Sequence, residues 1–125
     1  MHEKKYSIMS AVGPTKLGLV MFTKSLAKYL EGTGVTAYSL HPGLTRTNLL
    51  KDAGIWKYFF KLIPHVPPEK GAETSIYLAT EPGIEHLNGK FFSGKKEAST
   101  TANANRQDDI DRLWNVSMKL AGLAK

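Results

Sequence analysis

Apolar residues recur at helical spacing over residues 14–31, where Leu19, Phe22, Leu26 and Leu30 form one stripe. Pro14 suits a first-turn position, where its missing N–H costs nothing, and Glu31-Gly32-Thr33-Gly34 supplies glycine at the stop. Val35-Thr36-Ala37-Tyr38-Ser39-Leu40 then reads as a short strand, broken by His41-Pro42-Gly43. A second helix is predicted over residues 48–63, with Leu49, Ala53, Trp56, Phe60 and Ile63 on one face. Pro64, Pro67 and Pro68 punctuate the chain, and a third helix is predicted from Pro68 to Ala79. After the turn signal Asn88-Gly89, Lys90-Phe91-Phe92-Ser93 forms a second short strand. Residues 95–107 are small and polar, which predicts a loosely held loop. A last helix begins near Asp108, Asp109 and Asp111, acids at the favourable end of its dipole, with Ile110, Leu113, Trp114 and Met118 as its apolar face.

This order of helices and strands is the rhythm of an α/β protein with parallel strands and about four helices. Two short strands make a poor sheet, because their outer edges leave backbone groups unpaired. The pattern therefore predicts part of a larger sheet. Ligands of such folds sit beyond the carboxyl ends of the strands, where His41-Pro42-Gly43-Leu44-Thr45-Arg46-Thr47 lies.

Composition narrows the picture. At 125 residues the chain has room for one domain, and 42% hydrophobic with 22% charged residues is ordinary for a globular protein. With no cysteine, disulfides and thiolate metal sites are excluded. No run is long and apolar enough for a membrane span, and Met1-His2-Glu3-Lys4-Lys5 opens no signal peptide. The expected location is intracellular, cytoplasmic or membrane-associated. Residues 1–70 carry the whole net charge of +6, with ten basic residues against four acidic, whereas residues 71–125 balance at seven each. That excess is spread over several elements without any nucleic-acid-binding motif, so no nucleic-acid partner is expected.

Lys16-Leu17, Phe22-Thr23-Lys24-Ser25-Leu26-Ala27, Leu30-Glu31-Gly32-Thr33-Gly34-Val35-Thr36 and His41-Pro42-Gly43 together resemble the short-chain dehydrogenase/reductase family, most closely its retinol dehydrogenase-like branch. Pro68-Glu69-Lys70-Gly71-Ala72, Tyr77-Leu78-Ala79, Gly89-Lys90-Phe91-Phe92 and Arg112-Leu113-Trp114 continue the likeness. It covers nearly the whole chain but only the family's C-terminal half. Residues 1–125 would then be a partial domain of a Rossmann-like doubly wound parallel sheet, without its N-terminal dinucleotide-binding half. The resemblance implies an NADP or NAD cofactor and a lipophilic alcohol or carbonyl substrate. In the family, a tyrosine four residues before a lysine carries the proton transfer. A phenol with a pKa near 10 needs a nearby ammonium to work at neutral pH.

Lys16 matches that lysine, which in the family also holds the nicotinamide ribose, but the tyrosine position is Val12. Valine cannot carry a proton, and Tyr6, ten residues before Lys16, does not replace it. The family's catalytic serine and asparagine would fall upstream of Met1, and these 125 residues contain no Gly-x-Gly-x-x-Gly phosphate loop. By resemblance, Pro42, Gly43, Thr45 and Thr47 face the nicotinamide carboxamide. His41 is expected to be structural, and His2, His65 and His86 have no metal-ligand spacing. Asn115-Val116-Ser117 fits a glycosylation pattern but falls inside a helix. The 48–63 helix, with Lys51, Lys57 and Lys61 beside its apolar face, fits either core or lid packing or a peripheral membrane contact. The expectation is an oxidoreductase-family chain that is inactive as written. The alternative is a non-catalytic interaction or dimerisation module derived from the family, with homo-oligomers formed through the first helix.

Overall fold

The computed structural model describes residues 8–43 and 66–124. Helix α1 (Ile8–Tyr29) leads to strand β1 (Ser39–His41). Helix α2 (Pro68–Thr80), strand β2 (Phe91–Ser93), strand β3 (Lys96–Glu97) and helix α3 (Gln107–Leu120) complete the order. The architecture is α/β, as expected. The predicted helix at 48–63 lies outside the described residues.

Helix α1 corrects the expectation that Pro14 starts it. Pro14 lies inside the helix, where it cannot give the hydrogen bond to the Ser10 carbonyl and its ring crowds that carbonyl. The glycine stop is where the sequence places it. Gly32 and Gly34 both adopt the left-handed backbone, and Thr33 donates its hydroxyl to the Leu30 carbonyl at 2.6 Å.

Strand β1 is shorter than residues 35–40 and begins only at Ser39. The cause is a competing partner. The Ala37 N–H is taken by Asn88 Oδ1 at 2.8 Å, and its carbonyl accepts from Gly89 N–H at 2.8 Å. Asn88 also donates through Nδ2 to the Ala27 carbonyl at 3.2 Å. The Asn88-Gly89 turn therefore ties together the end of α1, the approach to β1 and the start of β2.

β1 and β2 are parallel, with Ser39 opposite Phe91 and His41 opposite Ser93, while β3 returns antiparallel against β2. This third strand falls in the stretch expected to be a loose loop, which the structure corrects. Gly94 and Lys95 both take positive φ, a mirror-image turn that suits the twist of a two-residue hairpin. Further on, Ala104 is wholly buried in a 3₁₀ turn at Ala102–Asn105 and packs with Met21 and Ile110. A small buried residue leaves little trace in a hydrophobic pattern, so the segment reads as polar.

Helix α3 packs on α1. Ile110 packs on Met21, and Trp114 lies 5.2 Å from Phe22 and 5.6 Å from Tyr29 between ring centroids. Asp108 and Asp109 are in the first turn of α3 and Asp111 lies just beyond it, and Asp109 pairs with Arg106 at 3.1 Å. Under the sheet, Phe92 is the most deeply buried large side chain and meets Tyr38 edge-on at 5.7 Å.

Candidate functional site

The parallel register brings the carboxyl ends of β1 and β2 to one edge, where His41-Pro42-Gly43 and Ser93-Gly94-Lys95 emerge side by side. Gly43 turns the chain with φ 79°, a conformation that penalises any side chain, although a Cβ there would meet only Val66 at 3.8 Å. His41, expected to be structural, is exposed at the end of β1. The neighbouring turn is fixed from behind. Lys95 N–H donates to the hydroxyl of buried Thr74 at 3.2 Å, and its ammonium pairs with Glu73 at 3.3 Å. The Gly94-Lys95 turn is thus held against α2.

Val12 and Lys16 lie on one continuous helix, four residues apart, and both are exposed. Val12 is 47% exposed, and its carbonyl accepts the Thr15 hydroxyl at 2.9 Å. The two side chains therefore share a helix face, with an isopropyl group at residue 12. Thr45 and Thr47 lie outside the described residues. Among the described residues, no group of three histidine, aspartate or glutamate side chains could hold a metal ion. No helix among them is long and apolar enough to cross a membrane.

A nicotinamide dinucleotide makes different demands at its two ends. The left-handed Gly43 turn and the exposed Lys16 ammonium suit a carboxamide and a ribose. The pyrophosphate needs several backbone N–H groups in a glycine-rich cradle, and no Gly-x-Gly-x-x-Gly segment occurs in these 125 residues. The fit is to one end of the cofactor only.

Sequence reasoning missed Lys24. Its ammonium donates to the Ala104 carbonyl at 3.0 Å and to Asn105 Oδ1, tying the 3₁₀ turn back to α1. Burial first, and then the charge of Lys90, pull its pKa below the usual lysine value. The signal available in the sequence was a lysine on the apolar face between Met21 and Ala27.

Across 97% of its length the chain is 39% identical to retinol dehydrogenase 12 of Homo sapiens and 41% identical to retinol dehydrogenase 11 of Mus musculus. It is 37% identical to retinol dehydrogenase 14 of Homo sapiens over 98%. The chain spans 38–39% of the length of these relatives. No family model matches it.

Proposed function

For this chain, which belongs to the short-chain dehydrogenase/reductase family through its retinol dehydrogenase relatives, we propose the role of a catalytically silent segment of an NAD(P)-dependent oxidoreductase fold. Lys16 would hold the nicotinamide ribose, and Pro42, Gly43, Thr45 and Thr47 the carboxamide side. A bound nicotinamide supplies a hydride acceptor or donor. The substrate class is a lipophilic alcohol or carbonyl, in keeping with the retinol named for the relatives. One observation carries the reading. α1 runs unbroken through Val12 and Lys16, so the side chain placed to exchange a proton beside the lysine is an aliphatic one.

The test grafts residues 1–125 onto the N-terminal portion of an active relative and compares the graft with its Val12→Tyr variant, using a lipophilic aldehyde and both cofactors. General acid–base catalysis contributes roughly 10²–10⁴-fold, so the tyrosine is expected to raise turnover on that scale. Equal and substantial turnover from both versions would overturn the proposal, because another group would then supply the proton.

The second reading, an interaction or dimerisation module, is favoured by Val12 and Leu19, which leave apolar surface exposed on α1. Leu19→Lys is expected to abolish self-association if α1 is the contact, as read by light scattering.

A further inference from the structure

The packing of α3 on α1 leaves an open groove of about 370 Å³, within the size range of small-ligand sites. Two kinds of wall line it. Tyr29 and Trp114 supply aromatic surface, with their ring centroids 5.6 Å apart. Lys24 and Lys28, one helical turn apart, supply positive charge. An ammonium has three donors, and Lys24 uses two on Ala104 and Asn105. Lys28 is exposed and makes no ion pair among the described residues.

The groove also contains one carboxylate, Asp111, which accepts a hydrogen bond from Gln107 Nε2 at 2.8 Å. It repels an anion on the α3 side, which leaves the lysines on the α1 side as the place where a negative group gains. Flat aromatic walls favour a planar ring by offset stacking. From this juxtaposition we infer that the groove between α1 and α3 binds planar aromatic carboxylates, with the ring against Trp114 and Tyr29 and the carboxylate at the Lys28 ammonium. The site is separate from the Val12–Lys16 region and does not depend on the oxidoreductase reading.

The probe is 1-naphthoate, titrated into the full 125-residue chain carrying Trp56→Phe, which leaves Trp114 as the sole indole. Saturable quenching with half-saturation below roughly 1 mM is expected. The neutral analogue 1-naphthalenemethanol should bind about fivefold more weakly, the effect of one solvated charge contact. Lys28→Gln, a change at an exposed side chain, should erase that difference. Equal binding of the acid and the alcohol would overturn the inference. So would a difference that survives Lys28→Gln, or quenching that fails to saturate below about 10 mM.

Discussion

Gly83 and Gly89 share a φ of 80°, yet their surroundings differ. A Cβ at Gly83 meets nothing within 4 Å, whereas at Gly89 it would lie 3.1 Å from the Ala27 Cβ. Gly83→Ala should therefore cost only the left-handed penalty, about 1–2 kcal/mol. Gly89→Ala is expected to cost more, by roughly 1–3 kcal/mol for the forced contact, with urea unfolding as the measurement. Similar losses from the two variants would show that the α1 contact gives way easily. Lys24 makes a different residue-scale prediction. Its pKa is lower in the folded chain than in the unfolded one, so between those two values the unfolded state binds more protons. The contribution of this group to stability is thus lowest while it is charged, and it rises with pH through that window, up to the unfolded value. Urea midpoints measured across the alkaline range should carry this upward contribution, and Lys24→Met should remove it. Identical pH slopes in the two proteins would contradict the assignment.

Among the described strands, β2 carries most weight because it pairs with both β1 and β3. Phe92, 1% exposed, is its anchor, and Phe92→Ala is expected to cost about 3–5 kcal/mol, read as a fall in Tm. Helix α2 was legible in the sequence almost to its ends, because proline at its start and a polar continuation leave no competing reading. α1 was legible in its apolar stripe but not in its beginning, since a proline inside a helix and one at its start look alike in sequence. β1 was half legible. Its first residues have strand character, but Asn88 captures their hydrogen bonds, and no local pattern shows a partner 51 residues away. The hairpin was illegible because lysine is a poor marker of a left-handed turn, the place where asparagine or glycine is usual. For the candidate site, Lys16, Val12 and the Pro42-Gly43 turn could be named from the resemblance alone. Lys24 could not, since its partners come from the opposite end of the chain.

At the scale of the whole molecule, the described sheet has three strands of two or three residues, and large apolar side chains remain exposed. Val116, Leu120 and Leu123 recur at helical spacing near the end of the chain, with Leu120 84% exposed. Concentration-dependent light scattering from the 125-residue chain is expected, and Leu120→Lys should reduce it. A monodisperse monomer at high concentration would show that these side chains do not drive association. The absence of a Gly-x-Gly-x-x-Gly segment from these 125 residues leads to a second expectation. Calorimetric titration of this chain with NADH or NADPH should detect no micromolar binding, because the pyrophosphate lacks its cradle. Micromolar affinity would mean that another part of the chain meets the phosphates.

The Asn88 tie also bears on the order in which the chain folds. Helix α1 can form from neighbours in sequence, on the sub-microsecond scale of helix growth. β1 has no such route. The hydrogen bonds that hold its approach come from Asn88 and Gly89, and its ladder partner is β2, so a loop of about fifty residues must close before any of them is gained. Asn88 reaches even further back, across 61 residues to Ala27. The arrival of this one side chain thus joins a preformed helix to both strands in a single step. Asn88→Ala should slow refolding of the sheet while leaving the early helical signal of α1 unchanged.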